Sequence, residues 1–101
     1  MNVYLIKTQK SQKYKIGITK DVQKRVRELQ TGNPEQLIIV YSHPTQYASK
    51  VETALHNHYN YLNDKGEWFK FDLCIELDFP ILRKQIEDNL IFLKKHGNKF
   101  I

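Results

Sequence analysis

The sequence predicts a small α/β domain of the α+β type, in which an antiparallel three-stranded sheet is flanked by helices and followed by an extra C-terminal helix. Two strand-like segments near the N-terminus predict a hairpin, and three later segments keep the helical spacing of apolar residues. The length of 101 residues, with 41% apolar and 27% charged residues, is typical of one globular domain. We therefore expect residues 1–71 to form the core and residues 72–101 to pack on it as a helical extension.

The first two predicted strands are residues 3–6 and 14–18, which are rich in β-branched and aromatic side chains. The polar turn formers between them, residues 8–13, favour a hairpin connection. Successive residues of a strand point to opposite faces of a sheet, so Tyr14 and Lys15 are expected on different faces.

The first helix is predicted to begin after an N-cap at Thr19 or Asp21 and to end at Gln30, before the helix-breaking residues 31–34. The compact apolar run at 37–41 then predicts a buried third strand, followed by a turn.

Residues 46–62 predict the second helix, and residues 67–71 predict a short extended segment. The last helix is expected to begin at Asp78, with Pro80 in its first turn. Its apolar stripe consists of Phe79, Leu82, Ile86, Leu90 and Leu93.

The charge distribution points to a polyanionic partner. Sixteen lysines and arginines oppose eleven acidic residues, which gives a net charge of +5. Eight of these cations lie between residues 7 and 27, where Asp21 is the only acidic residue, and Lys94, Lys95 and Lys99 form a second cluster. A basic face of this kind is typical of nucleic-acid-binding domains, although a lysine-rich solvated surface produces the same count.

Other classes of protein are excluded by composition. No apolar run is long enough to span a bilayer, and the N-terminus lacks the pattern of a secretory signal, so we expect an intracellular, cytoplasmic protein. The single cysteine, Cys74, excludes an internal disulfide and a zinc site built from several thiolates.

Helical-wheel geometry distinguishes two arginines of the first helix. Arg25 borders the apolar stripe formed by Val22, Val26 and Leu29, whereas Arg27 lies on the opposite side. An arginine held against the packed face can aim its guanidinium at a phosphate, but it can also simply cover the edge of the core with its methylenes.

On the second helix, Glu52, His56 and Tyr59 are predicted to follow one flank at positions i, i+4 and i+7. A carboxylate beside a histidine can hold a divalent cation or transfer protons, and it can equally be a solvated helix edge.

Several of these residues belong to motifs that occur in a defined order. The motifs are Asn2-Val3-Tyr4, Lys15-Ile16-Gly17, Arg25, Leu29-Gln30-Thr31-Gly32-Asn33-Pro34, Glu52 with Leu55-His56, and Gly66-Glu67-Trp68-Phe69. This order resembles the GIY-YIG nuclease superfamily, and more narrowly its compact phage and bacterial subfamily with a Lys-Ile-Gly second motif. The first triplet lacks the family's glycine, and lysine replaces the family's second tyrosine.

The resemblance implies a metal-dependent DNA endonuclease. In that interpretation Glu52 holds Mg²⁺, for which Mn²⁺ can substitute, and Arg25 stabilises charge on the phosphoryl group. Tyr4 acts as the general base, Lys15 favours the tyrosinate, and His56 orients water or assists proton transfer. A water nucleophile is preferred to a covalent tyrosine intermediate. The family's downstream asparagine has three candidate counterparts here, Asn57, Asn60 and Asn63.

The expected partner is DNA, duplex or branched, and the expected phosphate contacts are Lys13, Lys20, Lys24 and Arg27. Two other functions stay open: a catalytically inactive nucleic-acid-binding module with the same fold, and a protein–protein adaptor that uses the exposed side of the last helix. The sequence leaves the oligomeric state open, a homodimer included, and it contains no recognisable reader of a target sequence.

Overall fold

The computed structural model describes residues 1–70 and 72–97, which fold into a five-stranded antiparallel sheet and three α-helices. The strands are β1 (Asn2–Thr8), β2 (Tyr14–Thr19), β3 (Leu37–Pro44), β4 (Asn63–Lys65) and β5 (Trp68–Phe69). The helices are α1 (Val22–Thr31), α2 (Ala48–His58) and α3 (Leu73–Lys95), and a 3-10 turn occupies Asn60–Leu62. Within the described residues, none of the helices has both the length and the apolar character that crossing a lipid bilayer requires.

The sheet has the order β3-β1-β2-β5-β4, so the prediction of a three-stranded sheet is incomplete. The β1–β2 hairpin is confirmed, with Tyr4 opposite Gly17. The two additional strands are only three and two residues long, and the sequence of β4, Asn-Asp-Lys, has the composition of a turn. Their pairing depends on a contact with β2 that is distant in sequence. Phe71, predicted to end this extended segment, lies outside the described residues.

The prediction that the third strand is buried is wrong. Among the residues that the structure describes, β3 lies at the edge of the sheet, pairs only with β1 and buries only Leu37 fully. Its apolar residues pack partly, because an edge strand has a neighbour on one side only.

The two shorter helices begin and end for local reasons. The side chain of Asp21 accepts a hydrogen bond from the Lys24 amide at 3.1 Å, which identifies Asp21 as the N-cap of α1. The helix ends at Thr31, followed by Gly32. α2 is shorter than the predicted 46–62, because the chain tightens into the 3-10 turn after His58.

α3 begins five residues before the predicted start at Asp78. Asp72 is its N-cap, accepting a hydrogen bond from the Cys74 amide at 2.8 Å, and Pro80 lies inside the helix. Proline inside a helix removes one backbone hydrogen bond, and the buried side chains of Ile75 and Phe79 hold the first two turns in place. The predicted stripe is confirmed as far as Leu90, whereas Leu93 is exposed.

The sheet separates two hydrophobic clusters. The larger contains buried residues of β1, β2, α2 and α3, among them Val3, Tyr14, Val51, Leu55 and Phe79. The smaller lies on the α1 side of the sheet and consists of Tyr4, Ile6 and Leu37, with Val22, Val26, Leu29 and Trp68 packed against them. Tyr4 and Tyr14 therefore lie on opposite faces, as strand alternation predicts.

The Tyr4 side chain crosses β2 at Gly17, which is its cross-strand neighbour. A Cβ atom placed on Gly17 would overlap the Tyr4 hydroxyl and ring, so glycine is required here for space. Tyr4 is 1% exposed, which leaves the ring no alternative position without repacking. Because residue 17 has no side chain, the Tyr4 ring can pass over β2 and place its hydroxyl across the strand.

We predict that Gly17→Ala destabilises the protein by about 1–3 kcal/mol, the usual cost of overpacking a buried site. The control is Gly32→Ala, because a Cβ there meets no atom within 4 Å and φ is −97°, so its effect should stay within about 0.5 kcal/mol. Urea unfolding of the three proteins measures both effects. Equal stability of Gly17→Ala and wild type would contradict the described position of Tyr4.

Candidate active site

The site lies where the far edge of β2 loses its strand partner. β5 pairs with Tyr14 and Lys15, and the Ile16 amide still donates a hydrogen bond to the Glu67 carbonyl oxygen at 3.3 Å, so within the described chain no strand covers the edge beyond that bond. Side chains of α2 take this place: Nε2 of His56 lies 2.9 Å from the Ile16 carbonyl oxygen, and the Glu52 carboxylate lies near the Ile18 amide, which favours its charged form. The edge therefore holds His56 by a hydrogen bond and stabilises Glu52 electrostatically.

Three potential metal ligands meet at this edge. Ligand atoms of Glu52, His56 and Glu67 all lie within 4.8 Å of one another, and each residue is half-buried. Because a carbonyl oxygen can only accept, Nε2 of His56 carries the hydrogen in its bond to Ile16, and Nδ1 keeps a lone pair when the ring is neutral. This is the arrangement in which a second contact orients a ligating histidine.

The Glu52 carboxyl has an elevated pKa. Burial raises its pKa first and the neighbouring Glu67 raises it further, while His56, Lys15 and the Ile18 amide act in the opposite direction. Two carboxylates in one partly desolvated site repel each other, and a divalent cation between them would relieve that repulsion. The electrostatics of the cluster therefore fit a bound cation.

Sequence reasoning missed Glu67 as a site residue. The Glu67 carboxylate forms an ion pair with Nζ of Lys15 at 3.0 Å, and that ammonium lies 5.2 Å from the centre of the Trp68 ring. Lys15 is 7% exposed, so its charge depends on these two neighbours. The available signal was the Gly66-Glu67-Trp68 turn, but its position opposite Lys15 follows only from the pairing of β5 with β2.

Tyr4 and Arg25 form the second half of the site. The Arg25 guanidinium lies beside the Tyr4 hydroxyl. Burial raises the pKa of that hydroxyl above its usual value, Arg25 lowers it, and the carboxylates of Glu67 and Glu52 raise it. The structure thus places Arg25 against Tyr4 and Lys15 against Glu67, so Arg25 takes the position beside the tyrosine that was expected of Lys15.

The wheel prediction for the two arginines agrees with their surroundings. Arg25 is partly buried beside Tyr4, whereas Arg27 is exposed. Lys20 and Lys24 are exposed as well and lie with Arg27 along α1 and its entrance. Lys13 differs, because its ammonium is 2.8 Å from the Asp64 carboxylate. Lys99 lies outside the described residues.

Two further sequence expectations change. Tyr59 does not share the flank of Glu52 and His56, because α2 ends at His58 and the Tyr59 ring is buried against Phe79. Burial raises its pKa to about 12. Of the candidate asparagines, Asn63 holds the β4–β5 turn by donating to the carbonyls of Gly66 and Trp68, whereas Asn57 and Asn60 are exposed.

Comparison with known proteins agrees with a nucleic-acid enzyme or binding module. The family model of the T5orf172 domain matches residues 1–88, which include all five strands and every residue of the site. The T5orf172 domain is a nuclease-type domain, which indicates a nuclease-like or DNA-binding module. No curated protein and no solved structure matches the chain. The match covers most of the chain, and the chain therefore belongs to the T5orf172 domain family.

Proposed function

We propose that this protein is a metal-dependent DNA endonuclease of the GIY-YIG type. The observation that carries the proposal is the convergence of the Tyr4–Arg25 pair with Glu52, His56 and Glu67 at one edge of the sheet. These residues come from β1, α1, α2 and the β4–β5 turn. A purely structural role, in packing or in hydrogen bonding to the sheet edge, would not require so many ionisable side chains in one place.

The donor set fits a hard divalent cation. Glu52 and Glu67 offer carboxylate oxygens, which Mg²⁺ and Mn²⁺ prefer, and Nδ1 of His56 adds a nitrogen that Mn²⁺ accepts. When bound, the cation would neutralise charge on a phosphate oxygen and make a water molecule more acidic. Glu67 can serve as a ligand only if it shares or leaves its ion pair with Lys15.

Tyr4 is assigned as the general base that accepts a proton from the attacking water. Its hydroxyl ionises with difficulty because it is buried, and the neighbouring Arg25 guanidinium favours the charged form. The same guanidinium is suited to a phosphate oxygen, since it has several donors and the Tyr4 contact uses only part of them. Arg25 therefore links activation of the nucleophile to stabilisation of the developing charge.

The remaining residues position these groups. Because Nε2 of His56 is held by the Ile16 carbonyl, we assign Nδ1 as the nitrogen that binds water or the cation, and Lys15 holds Glu67 at the edge. The exposed cations Lys20, Lys24 and Arg27 are assigned to the DNA backbone. We assign Lys13 a smaller share, since Asp64 neutralises much of its charge.

The rival proposal is a DNA-binding module without turnover, which the missing glycine of the first triplet favours. Among the described residues, Gln12 is the only residue other than glycine with positive φ, so the backbone at Asn2 does not require glycine. Asn2 instead donates a hydrogen bond to the Lys20 carbonyl at 3.3 Å. Asparagine in place of the family's glycine is therefore compatible with an intact site, and we favour the endonuclease over the binding module.

Incubation with plasmid, branched and single-stranded DNA, in Mg²⁺, Mn²⁺ or chelator, separates the two proposals. Cleavage that needs the metal supports the endonuclease. Binding without cleavage of any substrate supports the binding module.

We predict that Glu52→Gln abolishes metal-dependent cleavage and leaves the protein at least as stable as wild type. The folded state raises the pKa of Glu52, so its ionisation near neutral pH costs stability, and the neutral amide avoids that cost. Cleavage assays and thermal unfolding measure the two effects. Glu76→Gln is the control, because it removes a carboxylate of α3 that pairs with Lys7 outside the site. Wild-type cleavage by Glu52→Gln would exclude Glu52 from the mechanism.

The two arginines of α1 are predicted to differ in kind. Arg25→Ala should lower kcat about 10²-fold or more, the effect of removing a donor that stabilises developing charge. Arg27→Ala should leave kcat nearly unchanged and reduce the salt dependence of DNA binding by up to about one unit of slope. Single-turnover rates and binding titrations at several salt concentrations test this difference. Equal effects of both variants would mean that α1 is only a basic surface.

The two buried tyrosines of the hairpin give a test of the general base. The wild-type rate should increase toward alkaline pH, because the pKa of Tyr4 is raised and the base acts as tyrosinate. Tyr4→Phe should remove this increase and most of the rate while keeping the packing of the ring. Tyr14→Phe removes a hydroxyl on the opposite face of the sheet, so this variant should keep both the cleavage rate and its alkaline increase. Loss of the alkaline increase in Tyr14→Phe, but not in Tyr4→Phe, would overturn the assignment.

A further inference from the structure

α3 carries a second stripe of residues on the side turned away from the core. The inner side packs against the sheet through Ile75, Phe79, Leu82, Ile86 and Leu90. The other stripe, here named the outer seam, consists of Leu77, Ile81, Lys84, Asp88, Ile91 and Lys95, all of them exposed. The spacing within the outer seam alternates between four and three residues, which is the spacing of the residues that meet in a two-helix coiled coil.

The apolar residues of the outer seam are unusually open to solvent. Leu77 is 64% exposed, Ile81 61% and Ile91 40%. Two of these three apolar residues precede the central Lys84–Asp88 pair and one follows it, so the charges stand in the middle of the seam. A partner must therefore cover apolar residues at both ends and match two opposite charges at the centre.

A second copy of the same chain satisfies these requirements in one orientation only. In a parallel pair, each seam residue faces its own equivalent, so lysine meets lysine at 84 and aspartate meets aspartate at 88. In an antiparallel pair centred between these residues, Lys84 faces Asp88 of the second copy, and Ile81 faces Ile91. Leu77 then faces Lys95, whose methylenes can cover it while the ammonium stays in water.

We propose that the protein forms an antiparallel homodimer through the outer seam of α3. The helix has 23 residues and is about 35 Å long, and the core covers only its opposite side. The self-complementary order of charged and apolar residues selects a second copy as the occupant. Dimerisation places two β2-edge sites in one particle, and it holds whether or not those sites cleave DNA.

Sedimentation equilibrium of the full chain tests the proposal. Wild type should dimerise, and Lys84→Asp should raise the dimer Kd about tenfold or more, because it places like charges opposite each other twice. Adding Asp88→Lys to that variant reverses both charges and should restore the dimer. Ile91→Asp should give a monomer, whereas Ile38→Asp, at a similarly exposed isoleucine of β3, should stay dimeric. A wild type that is monomeric up to its solubility limit would overturn the proposal.

The orientation is tested by cysteine cross-linking in a Cys74→Ser background. The double variant Ile81→Cys/Ile91→Cys should form an intermolecular disulfide, since these positions face each other. Ile81→Cys alone should not, because the two copies of residue 81 would lie about 15 Å apart along the antiparallel helices, beyond the reach of a disulfide. A dimer cross-linked by Ile81→Cys alone would show parallel pairing and contradict the proposed orientation.

Discussion

The early end of β5 is the constraint on which the rest of the site depends. A sheet edge leaves backbone amides and carbonyls without partners, and such groups are costly when they are shielded from water. Beyond the backbone bond from Ile16 to Glu67, His56 bonds to the Ile16 carbonyl and Glu52 lies near the Ile18 amide, so side chains of α2 occupy the place that a longer β5 would have occupied. The same contacts bring a carboxylate and an imidazole together with Glu67. The contacts of Glu52 and His56 with β2 therefore both cover the edge of the sheet and form the site.

Opposite charges balance in the small volume around this edge. Lys15 holds Glu67, and Arg25 lies against Tyr4, so the Glu67 carboxylate and the Tyr4 hydroxyl each have a cation beside them. The charge of Glu52 is not fully compensated. Burial and Glu67 raise its pKa by more than His56, Lys15 and the Ile18 amide lower it. This residual repulsion destabilises the site, and the cation of the proposed function would relieve it, which is a common compromise between stability and function.

Much of the architecture follows from local sequence, and the site follows only in part. Periodicity places Arg25 and Glu52 on the borders of packed helix faces, and the β1–β2 alternation separates Tyr4 from Tyr14, because these patterns repeat over neighbouring residues. Local patterns could not predict the role of Glu67, since it depends on a two-residue strand that pairs Trp68 with Lys15 and Phe69 with Tyr14, residues far apart in the sequence. The start of α3 was misplaced because Pro80 resembles a first-turn proline, whereas Asp72 caps the helix earlier.

Diffraction from crystals grown with Mn²⁺, recorded near the manganese absorption edge, tests the central claim most directly. The claim is that the edge of β2 organises one cation site from α2 and the β4–β5 turn. The account predicts a single anomalous peak within coordination distance of the Glu52 carboxylate, with Glu67 or Nδ1 of His56 as a second ligand. A structure at saturating Mn²⁺ without a peak at Glu52, or with the peak at another cluster, would contradict it.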